Sequence, residues 1–167
     1  MLVASMNPSP SGYFATEKGS SSPQEMQWYL GKISGPLLDR IDLHIEVEPV
    51  AFEKLAATQK GESSEQIRER VTAARARQTD RFQKHPNLHY NAQMSSRQIR
   101  TYCVLDAASQ TLLKTAMERL GLSARAYDRI LKVARTLSDL AGVDRLHSDH
   151  IAEAIQYRSL DREGWLG

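Results

Sequence analysis

The sequence predicts a mainly α-helical chain with a small α/β segment at its N-terminal end, and three observations carry that expectation. Ile41, Leu43, Ile45 and Val47 alternate with Asp42, His44 and Glu46, the period-two pattern of a half-buried strand. Farther along, Ser63-x-x-Gln66 and Ser95-x-x-Gln98 have the form of capping boxes, in which each side chain satisfies the other's orphan backbone donor at a helix start. Apolar residues then recur at helical spacing as far as Gly121 and again as far as Gly142, and glycine accepts the left-handed conformation that a helix stop needs.

Taken in order, Leu2 to Met6 reads as the end of a buried strand, stopped at Asn7-Pro8 because proline lacks a ladder donor. Residues 8–23, PSPSGYFATEKGSSSP, are rich in Pro, Gly and Ser and read as an exposed loop. From Pro23 to Ile33, Met26, Tyr29, Leu30 and Ile33 share one helical face, and Trp28 lies off it, read as edge packing in preference to a partly exposed contact. Next comes SGPLLDRIDLHIEV, residues 34–47. Its Gly-Pro turn places Arg40 at the mouth of the expected strand. The residues alone leave two readings of Arg40 open: a surface pair with Asp39, or a guanidinium projected toward a neighbouring molecule's phosphate.

Residues 50–61, with Phe52, Leu55 and Gly61, form a connection after the alternation ends. The expected organisation is therefore a first unit over 1–50, a linker over 51–61 and an all-helical unit over 62–167. The helix opened by Ser63 turns Ile67, Val71, Ala74 and Gln78 inward. Arg68, Arg70, Arg75, Arg77, Arg81 and Lys84 outnumber Glu65, Glu69 and Asp80 on its remaining surface, a basic face that can track phosphates or contact a neighbouring subunit. Pro86 and two asparagines break the helix; His85 and His89 in that break lack a paired helical spacing and a third ligand, so no metal is expected there.

After Ser95 a helix runs through Ile99, Tyr102 and Cys103. Asp106 caps the next one, which buries Leu112, Leu113, Ala116, Met117 and Leu120. Ser123 caps a helix whose core face is Tyr127, Ile130, Leu131, Ala134, Leu137 and Ala141. Arg125, Arg129, Lys132 and Arg135 make a basic stripe along it. Arg125 stands in the first turn, where the helix dipole also attracts an anion. Ser148 or Asp149 caps the last helix, with Ile151, Ala154, Ile155 and Tyr157 inward, and Trp165 in the tail can dock back.

Composition narrows the function. The net charge is +2, but residues 1–50 carry three basic and six acidic side chains, so the later part is the better polyanion binder. One cysteine, Cys103, permits no internal disulfide framework, and no run approaches the length of a membrane span. A soluble protein of the reducing cytoplasm is expected, with no membrane partner. No GxxxxGK[ST] loop occurs, and no apolar run ends in paired acids, so the elements that cradle ATP phosphates and magnesium are missing.

Four stretches, SGPLLDRIDLHIEV, GESSEQIRERV, LGLSARAYDRILKVARTLSDLAG and HIAEAIQYRSLDR, occur in the order found in one family. The chain resembles the C-terminal part of the magnesium-chelatase-like AAA+ ATPases of bacteria, the YifB and ComM group, over nearly its whole length. That resemblance implies the end of an α/β ATPase core followed by a helical lid. It implies an arginine finger at Arg40, a sensor 1 asparagine at Asn7 that orients the attacking water, and a sensor 2 arginine at Arg125 on the γ-phosphate. Arg68, Arg75, Arg129, Lys132 and Arg135 are candidates for nucleic-acid or subunit contact.

Many relatives have cysteine pairs where this chain has Ser9, Ser11, Gly19 and Ser21. Hydroxyls are poor zinc ligands, so a metal site is not expected in that loop. By resemblance, the full-length protein uses ATP and Mg2+, forms a ring, a hexamer, with an upstream core and neighbouring subunits, and acts on DNA like a branch-migration helicase in recombination or transformation. The 167 residues alone are expected to be inactive and to bind no cofactor tightly. Two other functions compete: the ATPase subunit of a metal chelatase, and an autonomous helical nucleic-acid-binding module.

Overall fold

The structure is a computed structural model that describes residues 2–12, 21–47, 50 and 61–158. Helices are the regular secondary structure among the described residues, and no strand occurs among them. In chain order the helices are α1 (Pro23–Leu30), α2 (Gly35–Leu38), α3 (Ser64–Phe82), α4 (Ser96–Tyr102), α5 (Ala107–Arg119), α6 (Ala124–Leu140) and α7 (Ser148–Gln156), with a 3-10 turn at Asn91–Gln93 between α3 and α4. The linker residues 51–60 with Phe52 and Leu55, and the tail with Trp165, lie outside the described residues.

Local chemistry sets the helix boundaries. Both expected capping boxes form: the Gln66 amide donates to Ser63 Oγ at 3.3 Å while Gln66 Oε1 accepts from the Ser63 amide at 2.9 Å, and Ser95 with Gln98 repeats the arrangement. A third box, Ser22 with Glu25, opens α1, and the Ser22 backbone and hydroxyl bonds hold the Glu25 carboxyl below the ordinary carboxylate range. Asp106 caps α5 and Ser123 caps α6. Gly121 at φ 60° and Gly142 at φ 73° end α5 and α6. Each stop is a Schellman closure, with the Leu122 amide on the Met117 carbonyl at 3.1 Å and the Val143 amide on the Ser138 carbonyl at 3.0 Å.

Helix α6 is the axis of the lid: α3, α4, α7 and the 3-10 turn pack on it, and α5 packs on α7. The core gathers Phe82, Leu88, Met94, Ile99, Leu113, Ile130, Leu131, Ala134, Leu146, Ile151 and Ala154. Fully burying one large apolar side chain contributes roughly 1.5–3 kcal/mol, so these contacts define the stable part of the chain. A polar cluster runs through one side of it. Asp139, 2% exposed, accepts from Arg81 through both Nη atoms, from Asn91 Nδ2 at 2.8 Å and from Arg135 Nη2 at 3.5 Å.

Several expectations need correction. Neither Leu2–Met6 nor Ile41–Val47 is a strand; neither has regular secondary structure, and Leu2, Val3, Leu43, Ile45 and Val47 are exposed. A strand requires a neighbour to complete its ladder, and the described residues supply none. Ile67 and Val71 are exposed, because only the second half of α3, from Ala74 onward, reaches the core. Trp28 is exposed beneath the Lys32 ammonium, 3.6 Å from its ring centroid, instead of edge-packed. Tyr127 is 39% exposed, being placed on the rim of the α6 core face. His147, not Ser148 or Asp149, is the cap residue of α7, with its amide donating to His150 Nδ1 at 3.1 Å.

Candidate functional site

The short helix α2 begins at Gly35-Pro36, where proline's fixed φ and missing donor suit the first turn. It buries Leu38, and two tight turns follow, with the Arg40 amide on the Leu37 carbonyl at 2.9 Å and the Ile41 amide on the Leu38 carbonyl at 3.0 Å. These turns send consecutive side chains in different directions. Arg40 is exposed and donates from Nη1 to its own helix, the Pro36 carbonyl, at 2.9 Å.

The residues on either side of Arg40 turn to the lid. Asp39 accepts from the Ser123 hydroxyl at 3.0 Å and lies 4.0 Å from Arg158 Nη2. Ser123 is the α6 cap, so one hydroxyl both accepts from the Ala126 amide, at 3.1 Å, and donates to Asp39. Asp42 pairs with Arg129 on α6. Arg158, 1% exposed at the end of α7, donates to the Ile41 carbonyl. The His44 amide donates to the Tyr157 carbonyl at 2.8 Å. Residues 39–44 are thus fastened at five points to the cap of α6, its second turn and the C-terminal end of α7.

Between this segment and α6 lies a cleft of about 610 Å³. Leu43, Ile45, Leu137 and Leu140 supply apolar wall, and Arg125 and Lys132 supply cations. Arg125 stands exposed in the first turn of α6 and is paired with no described residue. Neither Arg40 nor Asn7 lines the cleft. Asn7 is exposed, and its carbonyl accepts from the Tyr29 hydroxyl at 3.1 Å, which ties the N-terminal stretch to α1.

The basic stripe divides. Arg125 has no partner among the described residues, Arg129 is held by Asp42, and Lys132 donates to the Ala92 carbonyl at 2.9 Å. Arg135 does not belong to the surface at all. It is 5% exposed, donates to the Asp144 carbonyl at 2.6 Å and flanks Asp139. Burial, followed by the neighbouring Arg81 cation, lowers its pKa from the usual arginine value, and Asp139 opposes that fall. The physical reason is position: Arg135 sits four residues beyond Leu131 on the buried face of α6, so it cannot serve as a nucleic-acid contact. On α3, Arg68 is exposed, and Arg75 stacks 3.7 Å from the Tyr90 ring centroid.

Sequence reasoning missed Asp39, Asp42, Ser123 and Arg158 as a set. Arg158 was detectable, because it continues the spacing of Ile151, Ala154 and Ile155 and so must lie on the buried side of its helix. In the serine-rich loop, Ser9 and Ser11 bring their hydroxyls within 2.9 Å of each other, while Gly19 lies outside the described residues. Among the described residues no group of three or more His, Cys, Asp or Glu side chains converges to hold a metal ion. No helix among them is long and apolar enough to cross a membrane.

Comparison with known proteins bears on this arrangement. Residues 61–158 match the family described as magnesium chelatase, subunit ChlI C-terminal, and residues 1–55 match that described as magnesium chelatase, subunit ChlI. The chain is 43% identical over 162 residues to the competence protein ComM of Haemophilus influenzae. It is 40% identical over 164 residues to proteins named YifB in Salmonella typhimurium and Escherichia coli. Each match covers 96% of this chain but 31% of the relative, so the chain spans about a third of their length.

Proposed function

The chain belongs to the magnesium chelatase ChlI family, and from that membership we propose that it supplies the arginine finger and sensor elements of a ring-forming AAA+ ATPase that acts on DNA. The observation that carries this reading is the division of labour around Arg40. Asp39 bonds to Ser123 and faces Arg158, so it does not neutralise the arginine beside it. Arg40 therefore keeps its charge exposed on an anchored turn, which favours a phosphate partner over a surface ion pair.

In this reading Arg40 stabilises charge on the γ-phosphoryl group bound to a neighbouring subunit. Arg125 meets the γ-phosphate from the lid: an exposed guanidinium at a helix N-terminal turn, unpaired among the described residues, fits an anion. Asn7 orients the attacking water. Bound ATP with Mg2+ supplies the transferable phosphoryl group. The sequence has no GxxxxGK[ST] loop, so the loop that cradles the phosphates and the acids that hold magnesium come from outside these residues. DNA contact falls to Arg68 and Arg75 on α3, which are exposed, the Arg75 guanidinium meeting only the face of the Tyr90 ring among the described residues, whereas Arg129, Lys132 and Arg135 already donate to a carboxylate or a carbonyl. That occupancy also weakens the autonomous nucleic-acid module as a reading, since the module needs those cations free.

The test uses a chimera in which this chain replaces the matching third of the Haemophilus relative. Arg40→Ala is expected to cut ATP turnover by about a thousandfold while ATP binding persists. Mixing that variant with a phosphate-loop variant should restore activity at mixed interfaces. Unchanged turnover by Arg40→Ala would remove the finger assignment.

A further inference from the structure

Arg40 and Arg125 are 85 positions apart, yet one continuous set of bonds joins the turn of the first to the helix of the second. Ser123, two residues before Arg125, bonds to Asp39, the residue before Arg40. Arg129, one turn past Arg125, pairs with Asp42, two residues after Arg40. Arg158 closes the arrangement from α7 through Asp39 and the Ile41 carbonyl. We propose that Asp39, Asp42, Arg129 and Arg158 are positioning residues that make the Arg40 turn and the first turns of α6 one mechanical unit, so that lid movement around nucleotide in one subunit sets the position of Arg40 against the next subunit's nucleotide.

The chemistry distinguishes this linkage from ordinary packing. Leu38 is the one apolar side chain buried within residues 37–43, and the remaining attachments are charged or hydrogen-bonded. Such contacts are directional, so they fix orientation, whereas an apolar contact would let the turn slide. Arg158 is also too deeply buried to be left uncompensated. With the turn seated, loss of Asp39 would leave the buried guanidinium one charge partner short, so its bond to the Ile41 carbonyl and its approach to Asp39 hold the turn on the lid. Lid and finger turn therefore move together, and a nucleotide-dependent shift felt at Arg125 is transmitted to Arg40 without a separate trigger.

The inference rests on the finger reading above, and two measurements separate their failures. In this chain alone, hydrogen exchange should show the His44 amide protected, and Arg129→Asp or Arg158→Met should reduce protection across residues 40–44. In the ATP-hydrolysing chimera, Arg129→Asp should lower kcat on the order of tenfold to a hundredfold through misplacement of Arg40, with KM for ATP nearly unchanged. The exchanged pair Asp42→Arg with Arg129→Asp should recover most of kcat, which loss of a DNA-binding or nucleotide-binding cation would not allow. Because Arg158→Met can fail to fold, the half-exposed Asp42–Arg129 exchange carries the decision. Full turnover by Arg129→Asp where Arg40→Ala abolishes it would overturn the linkage and leave the finger. Loss of turnover that the exchanged pair does not recover would also overturn it. Full turnover by Arg40→Ala would overturn both.

Discussion

Arginine performs opposite tasks within this chain, and the surroundings of each one decide which. Arg135 and Arg158 are 5% and 1% exposed and act as internal ties, each donating to a backbone carbonyl as well as facing an aspartate. Arg40 and Arg125 are exposed, and neither pairs with a carboxylate among the described residues. The lone cysteine illustrates the same dependence on surroundings. Cys103 is buried, with its Sγ 3.7 Å from the Leu131 carbonyl, and burial pushes its thiol up to about 12 despite the opposing Arg135 and Arg81 cations. A thiol pKa raised by folding gives stability that is complete below the ordinary thiol range and lost as pH rises toward about 12. Wild type should therefore lose stability relative to Cys103→Ala across that alkaline interval, measured by urea unfolding at successive pH values. Parallel curves for the two proteins would contradict the assignment. At neutral pH the folded protein should also resist thiol-specific labelling until it unfolds.

Helices differ in how far a cap matters, because a cap stabilises what is packed behind it. Ser63 opens α3, whose first half exposes Ile67 and Val71 and reaches the core only from Ala74. Ser63→Ala should cost about 0.5–2 kcal/mol locally, seen as faster amide exchange over residues 64–70 with little change in the global midpoint. Asp106 caps α5 two turns before the buried Leu113, so Asp106→Ala should lower the global midpoint as well. Equal global losses for the two variants would mean that the front of α3 is packed after all. These starts and stops were legible in the sequence, since S-x-x-Q boxes and terminal glycines act over a few residues. Strands were not. The alternation from Ile41 to Val47 assigned the inward side wrongly, since His44 is buried while Leu43, Ile45 and Val47 are exposed; a ladder depends on a neighbour that local pattern cannot supply. The stripe from Arg125 to Arg135 failed for a related reason. Steps of four, three and three drift around the helix, and only the positions of α3 and α7 determine where the drift enters the core.

As a whole molecule, the chain joins a well-packed lid to an N-terminal portion whose apolar side chains largely face outward. Leu2, Val3, Trp28, Leu37, Leu43, Ile45 and Val47 are all exposed, an arrangement that favours a covering partner surface. The lid has its own core over residues 82–154 and does not need those side chains. Removal of residues 1–60 should therefore leave residues 61–158 folded, at the cost of exposing Arg158 and freeing Arg129. The complete chain should self-associate with rising concentration in sedimentation velocity, while the trimmed lid remains monomeric. Ile45→Lys with Val47→Lys should suppress association of the complete chain without lowering the lid's unfolding midpoint, because neither side chain contributes to its core. If the trimmed lid associates as strongly as the complete chain, the adhesive surface lies on the lid, and the exposed Ile67 and Val71 of α3 become the face to test.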